Sequence, residues 1–207
     1  IYGNADISLI EYSLNFSFKH KQNYYRLLMG GENIQQNKEP ISNSIFTQFR
    51  YNYFLNDKNR FIAFSQIQSN SVLLLKQRIL CGIGFRKRLF TSGKENNLKL
   101  DLSQGVMQEI EDLNENEITR TNFTRHISSL ICVLKLNENI TMINTTYLQN
   151  RISNFSDYRF LNELNVLFEI NNTISLNIDF EYRFDNIPPS TLKKRDVNIN
   201  YGTLIQF

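Results

Sequence analysis

Residues 196–207 read Asp-Val-Asn-Ile-Asn-Tyr-Gly-Thr-Leu-Ile-Gln-Phe. The residue types alternate with a period of two, which predicts a β-strand with two different faces. The apolar face holds Val197, Ile199, Tyr201, Thr203, Ile205 and Phe207, and the mostly polar face holds Asp196, Asn198, Asn200, Gly202, Leu204 and Gln206. An apolar outer face, a polar inner face and a terminal Phe are typical of a bacterial outer-membrane β-barrel.

The same alternation recurs along the 207-residue chain. We count ten further strand-like segments, at about 5–19, 23–33, 42–55, 60–69, 72–90, 96–110, 117–136, 140–152, 156–170 and 173–185. The last of these is the clearest, because apolar residues from Ile174 to Phe184 oppose polar residues from Ser175 to Asp185. The orientation of segment 60–69 is ambiguous. In segment 117–136, Ile127, Ile131 and Val133 oppose His126, Ser128 and Cys132. We expect the apolar faces to meet lipid and the charged faces to line a lumen.

Bulk composition agrees with this prediction. The mean hydropathy of −0.37 is low, but polar lumen residues dilute the lipid-facing ones in a barrel. No apolar run approaches the ~20 residues of a membrane-spanning helix. A chain that crosses lipid without such a run must be a closed barrel, because lipid cannot satisfy an open strand edge. The sequence therefore predicts an all-β, antiparallel, up-and-down transmembrane barrel.

The connections predict the orientation of the barrel. Short periplasmic turns and longer external loops are the usual asymmetry. Working back from a periplasmic carboxy terminus, we expect external connections at 186–195 and at Asn114–Asn116, and periplasmic turns at Asn171-Asn172 and Asn137–Asn139.

The same count places Gly3-Asn4 at an extracellular turn. An even-stranded barrel needs both termini in the periplasm, so we expect one strand before Ile1. The prediction is a single domain over residues 1–207 in a barrel of about twelve strands, eleven of them in this chain.

Charge and cysteine content exclude some partners and bonds. The net charge is only +3, and basic residues are spread along the strands beside acids, so we expect no nucleic-acid partner. Lys193, Lys194 and Arg195 form a short cluster that reads as a solvated loop. Cys81 and Cys132 lie in separate segments and predict no disulfide framework.

Several motifs, in order along almost the whole chain, match one known family. They are Gly3-Asn4 with Asp6, Arg50-Tyr51-Asn52-Tyr53-Phe54, Arg78 with Gly82-x-Gly84, Asp157-Tyr158-Arg159 with Glu163, and Tyr182-Arg183-Phe184-Asp185-Asn186-Ile187-Pro188-Pro189 followed by Lys194-Arg195-Asp196. With these motifs the chain resembles the YdiY-like outer-membrane proteins (domain of unknown function 481). It departs from them in lacking the first strand and in reducing a Gly-rich second strand to Gly30-Gly31. The resemblance implies an outer-membrane barrel in a Gram-negative bacterium and implies no reaction.

Catalytic and metal-binding patterns are weak. His126 and Ser128 point to one face, but their i, i+2 spacing puts the Cβ atoms ~7 Å apart, too far for a direct nucleophile–base hydrogen bond. His20 lies at a predicted periplasmic turn. No Cys-x-x-Cys, His-x-His or His-Glu-x-x-His motif is present. We therefore expect no enzyme activity, no catalytic residue, no cofactor and no metal.

The inward-facing charges form the one functional constellation in the sequence. The cations are Arg26, Arg50, Lys76, Arg78, Arg86, Arg159 and Arg183, and the anions are Glu11, Asp101, Glu163, Glu169, Asp179, Glu181 and Asp185. Buried charges without partners are costly, so in a narrow barrel they should pair. We predict a lumen ion-pair network formed by Arg159, Glu163, Asp179, Glu181 and Arg183, with Glu163 and Glu181 nearly opposite each other.

Two functions remain open at this point. The first is a structural or accessory barrel, acting alone or as a subunit of a larger outer-membrane complex. The second is a narrow channel for ions or small solutes. In either case we expect contact with outer-membrane lipid and lipopolysaccharide, with the barrel-assembly machinery during insertion and with other outer-membrane proteins. Phe207 is the predicted assembly signal, because a terminal aromatic is what the insertion machinery reads.

Overall fold

A computed structural model describes residues 7–37, 39–92, 97–114, 118–171, 173–189 and 191–205. The strands in these residues are β1 (Ile7–His20), β2 (Asn23–Gln36), β3 (Glu39–Phe54), β4 (Asn59–Asn70), β5 (Leu75–Thr91), β6 (Leu98–Asn114), β7 (Ile118–Lys135), β8 (Ile140–Arg151), β9 (Asn154–Glu169), β10 (Ile174–Asp185) and β11 (Arg195–Ile205). Among the residues described, no helix is long and apolar enough to cross a membrane.

The strands form one sheet in which each strand pairs with its neighbours in sequence. The first pair, β1 and β2, runs antiparallel from Ile7↔Gln36 to His20↔Asn23. A two-residue turn joins these strands, and Lys21 in that turn has a positive φ of 52°. Short connections between sequential antiparallel strands produce an up-and-down meander. The predicted all-β, up-and-down arrangement is confirmed for the eleven segments.

The chain forms two compact units, one made of residues 1–84 and 106–125 and the other of residues 85–105 and 126–207. In the first unit, β3 and β4 each have one apolar exposed face. Ile45 and Phe49 are exposed on β3, whereas Gln48 on the other face is buried. On β4, whose orientation the sequence left ambiguous, Phe61 is exposed and Ile62 is buried. The alternation of residue types along β3 and β4 therefore sets which face of each strand is exposed, as expected.

Aromatic side chains gather at one end of the exposed face of the first unit. The ring of Tyr25 on β2 lies 6.3 Å from that of Phe18, 6.4 Å from that of Phe49 and 5.2 Å from that of Tyr51, measured between centroids. All four lie near the β1–β2 turn. Such a group resembles the aromatic girdle that membrane barrels place at a lipid–water interface.

In the second unit, β9 and β10 pair in the register expected from the sequence. Ser175 lies opposite Glu169, and Glu181 lies opposite Glu163. The ring of Phe160 contacts that of Tyr182 across the pair, with centroids 6.1 Å apart, so these aromatics share the apolar face. The polar residues between them in sequence lie on the opposite face, because side chains alternate along a strand.

The prediction for the faces of segment 117–136 is wrong. Arg125 and Ser129 on β7 are almost fully buried. Ile127 lies between them at the same parity and shares their face, while His126 and Ser128 lie on the opposite face with the exposed Leu130. The register that pairs the buried Arg125 also places Ile127 on the buried face. Leaving Arg125 buried without a partner would cost more free energy than turning Ile127 away from the lipid-facing side.

The predicted asymmetry of connection length holds for one pair of connections and fails for another. The connection at 186–194, on the side assigned to the exterior, is longer than the one at 170–173, assigned to the periplasm. By contrast, the external connection at 152–153 is shorter than the periplasmic one at 136–139, because β8 and β9 continue almost to their turn. Gly3-Asn4, Glu115, Asn116 and Asn172 lie outside the described residues, and the strand expected before Ile1 stays a prediction.

Candidate interior ion-pair site

Four charged side chains meet on the buried face of β5, β6 and β7, in the first unit. We name Arg78, Glu109, Glu111 and Arg125 the β5–β7 cluster. Arg78 Nη2 forms an ion pair with Glu109 Oε1, and Arg78 Nε lies 3.1 Å from Glu111 Oε1. Arg125 Nε lies 2.5 Å from Glu109 Oε2. Glu109 is therefore shared by two guanidinium groups.

The two central side chains of the β5–β7 cluster are fully buried. The side chain of Glu109 is 0% exposed and that of Arg125 is 1% exposed. Ion pairs gain most from each other where water is excluded, and there each charge also depends most on its partner. The guanidinium of Arg125 also lies 5.9 Å from the ring centroid of Phe123, a cation–π distance.

Close packing beside the cluster keeps water out. Met107 lies two residues before Glu109, on the same face of β6, and is 2% exposed. Gly82 on β5 has no side chain, and the ring of Phe64 occupies the space: a Cβ placed on Gly82 would lie 2.5 Å from that ring and 3.0 Å from the Cβ of Met107. The glycine is therefore required by the close approach of an aromatic ring.

The second unit carries its own polar contacts on the polar faces of β5 and β6. Arg88 binds both carboxylate oxygens of Asp101, with distances of 2.7 and 3.1 Å. Arg86 donates from Nε to Ser103 Oγ at 2.6 Å. A fork-like guanidinium suits such two-point binding of a carboxylate. Arg86 and Asp101 were among the charges expected to face inward, and Asp101 is buried.

Two ion pairs lie on β9 and β10, where the sequence predicts a lumen network. Arg159 Nε lies 2.8 Å from Asp185 Oδ2, and Arg183 Nη2 lies 2.9 Å from Glu181 Oε1. The side chains of the first pair are 20% and 21% exposed, and those of the second are 40% and 35% exposed. We name these two ion pairs the β9–β10 pairs. Water reaches all four groups.

Asp179 and Glu163 also belong to the predicted network. Asp179 accepts hydrogen bonds from Asn165 Nδ2 at 2.6 Å and from Asn177 Nδ2 at 2.5 Å. Glu163 lies directly opposite Glu181 in the register. Asparagine amides, not guanidinium groups, thus hold Asp179.

Three members of the β5–β7 cluster were missed in the sequence: Glu109, Glu111 and Arg125. The signal for the two acids was present, because the face that carries Asp101 and Ser103 continues at every second residue through Glu109 and Glu111. Arg125 was missed because the face of segment 117–136 was assigned wrongly.

His126 and Ser128 lie on the same, outward face of β7. The hydroxyl of Ser128 donates to Gln104 Oε1 at 2.8 Å, on the exposed face. Within the described parts of the chain, no group of three or more His, Cys, Asp or Glu side chains could hold a metal ion. Cys81 and Cys132 are free thiols. Phe207 lies outside the described residues, and its role in assembly stays a prediction.

Comparison with known proteins identifies the family and the fold. A family model described as "Protein of unknown function, DUF481" matches residues 2–207. A search of curated proteins gave no significant match. Among solved structures, the NanC porin superposes with a TM-score of 0.60 at 12% identity, covering 98% of this chain and 97% of that chain.

Two further solved structures share the architecture. A bacterial polysaccharide outer membrane secretin superposes with a TM-score of 0.53 at 10% identity, covering 96% of this chain and 81% of the other. The CymD monoaromatic hydrocarbon channel gives 0.50 at 9% identity, with coverage of 97% and 77%. Identities this low establish the fold alone. The predicted fold class, an all-β antiparallel up-and-down barrel fold, is confirmed.

Proposed function

The chain belongs to the DUF481 family of proteins of unknown function, and from this premise we propose that it is a non-enzymatic outer-membrane barrel with a structural or accessory role. It resides in the outer membrane of a Gram-negative bacterium with its carboxy terminus in the periplasm. It contacts lipid and lipopolysaccharide there, is inserted by the barrel-assembly machinery, and uses no cofactor.

The observation that carries this proposal is the burial of Glu109 and Arg125 in the β5–β7 cluster. A water-filled pore would hydrate the charges on its wall, yet Glu109 and Arg125 have almost no exposed surface. Separating these paired charges to solvate a passing ion would be energetically costly. Charges that are paired and buried in this way suit a role in scaffolding or assembly better than diffusion of solutes.

A narrow channel for ions or small solutes is the second candidate. The partly exposed β9–β10 pairs favour it, because charged groups in contact with water are what a conducting lumen requires. Two solved structures with the same fold are named as a porin, NanC, and as a monoaromatic hydrocarbon channel, CymD.

Conductance of the purified protein in planar bilayers separates the two candidates. A structural or accessory barrel gives no resolved current steps at moderate voltage, whereas a channel gives steps of constant size. Glu109→Gln is the informative variant, because it removes the carboxylate that two arginines share in the dry section. Glu181→Gln is the matched control in the exposed pairs. Regular steps from the unmodified protein would overturn the accessory role in favour of the channel.

A further inference from the structure

A hydrogen-bonded group of polar residues lies on the apolar face of β8 and β9, in the second unit. It consists of Asn144, Thr146 and Asn162, and we name it the amide cluster. Asn162 lies opposite Thr146 on one side and opposite Tyr182 on the other, and Asn144 lies opposite Leu164. Residues directly opposite each other in antiparallel strands share a face. The amide cluster therefore faces the same side as the aromatic and aliphatic residues around it.

Apolar residues flank the amide cluster along both strands. Leu148 and Phe160 form the next pair toward the β8–β9 turn, and Met142 and Val166 form a pair on the other side. The lipid-facing band of a membrane barrel is about 25 Å tall, which spans several such pairs. The amide cluster thus lies within the apolar band and not at its rim.

The hydrogen bonds inside the amide cluster leave part of its capacity unused. Asn162 Nδ2 donates to Thr146 Oγ1 at 2.8 Å and to Asn144 Oδ1 at 3.2 Å, and Asn144 Nδ2 donates to Asn162 Oδ1 at 3.2 Å. An asparagine amide has two N–H donors and an oxygen that accepts two bonds. These bonds use one of the two N–H groups of Asn144, and lipid chains offer no acceptor for the other.

A second polar pair lies on the exposed face of the same unit. Ser128 on β7 bonds to Gln104 on β6 at 2.8 Å. The opposite faces of these strands hold the buried Ser129 and Asp101, so Ser128 and Gln104 face outward with Leu130. Uncharged polar groups thus recur on the outward face of β6 to β9, on strands where lipid contact would favour apolar residues.

We propose that this face of the second unit, with the amide cluster at its centre, binds a second copy of this chain within the membrane. Amide and hydroxyl groups both donate and accept hydrogen bonds, so a patch made of them complements itself across a twofold axis. The patch carries no formal charge, so two copies meet without repulsion. The proposal rests on the membrane location proposed above.

Cysteine cross-linking in native outer membranes tests this interface. The full chain carries Cys81→Ser and Cys132→Ser, and Thr146→Cys places one thiol in the amide cluster. Mild oxidation should give a covalent dimer of twice the chain mass. The matched control is Ile178→Cys, at an exposed apolar position on β10 in the same unit, which should give several-fold less dimer.

Any other outcome of the cross-linking experiment contradicts the proposed interface. Equal cross-linking at both positions indicates random collision, and an adduct of another mass indicates a different protein. Adding Asn162→Leu to the Thr146→Cys chain should lower the dimer yield several-fold, and an unchanged yield excludes the amide cluster as its cause. Membrane fractionation and heat-modifiability of every variant distinguish a failure of the proposed interface from a failure of the proposed membrane location. A folded, outer-membrane chain that fails to cross-link contradicts only the interface, whereas loss from the outer membrane contradicts the proposed location as well.

Discussion

The β5–β7 cluster and the β9–β10 pairs are built from the same side chains but differ in their contact with water. Glu109 and Arg125 are almost fully buried, whereas Arg183 and Glu181 are about one-third exposed or more. An exposed ion pair contributes little to stability, because water and salt solvate each partner nearly as well as the other partner does. In a dry ion pair, removing one partner leaves the other charge without compensation from solvent. How much an ion pair contributes to stability therefore depends on whether its place in the sheet is buried or exposed.

Removing one carboxylate should give the largest difference in the free energy of unfolding between the two regions. Glu109→Gln removes the acid shared by Arg78 and Arg125 and should lower the free energy of unfolding by about 3–5 kcal/mol. Glu181→Gln, in an exposed pair, should lower it by less than about 1 kcal/mol. Urea unfolding of the refolded barrel, followed by its heat-modifiability, measures both. Equal effects would mean that burial does not separate the two regions.

A charge-balanced double substitution sharpens the same comparison. Arg125→Leu with Glu109→Leu removes one cation and one anion together and leaves Arg78 beside Glu111. The double variant should be more stable than Glu109→Gln by about 2 kcal/mol or more, because replacing a buried pair by apolar residues is often neutral. The same unfolding assay applies. A double variant as unstable as the single one would show that packing, and not charge, accounts for the loss.

Glycine substitutions compare packing in the two units. Gly82→Ala in the first unit places a methyl group against the ring of Phe64 and should cost about 1–3 kcal/mol. Gly202→Ala on β11 in the second unit meets nothing within 4 Å and should change stability by less than about 0.5 kcal/mol. If Gly82→Ala is tolerated as well as Gly202→Ala, the close packing beside the cluster is not what keeps it dry.

The smallest effect is expected at an exposed arginine. Arg183→Ala removes the partner of Glu181 and should lower the unfolding free energy by less than about 1 kcal/mol, because water hydrates the remaining carboxylate. The difference from the unmodified protein should shrink further at high salt, since screening weakens exposed ion pairs. Unfolding midpoints at low and high salt test this, and a salt-independent loss of several kcal/mol would place Arg183 in a dry site.

How regularly apolar and polar residues alternate along a strand explains whether its buried face could be predicted from the sequence. On β10 every apolar residue alternates with a polar one, so the face was unambiguous, and the short connection to β9 then set Glu163 opposite Glu181. On β7 the alternation is mixed, with Ile127 and Ser129 on one face and His126 and Leu130 on the other. There the face depends on Arg125 reaching Glu109 on another strand, and a contact between strands cannot be read from the pattern of one strand.

The central claim is that water does not reach the sheet beside the β5–β7 cluster, and thiol accessibility measures this most directly. In a chain with Cys81→Ser and Cys132→Ser, Met107→Cys places a thiol on the same face as Glu109, at a position that is 2% exposed. Ile143→Cys is the control, because Ile143 lies opposite Asn165 on the polar face of the second unit and is 38% exposed. With a small charged thiosulfonate reagent applied to the folded protein, we expect rapid labelling of Ile143→Cys and labelling of Met107→Cys only after unfolding. Equally rapid labelling of both thiols in the folded barrel would contradict the account.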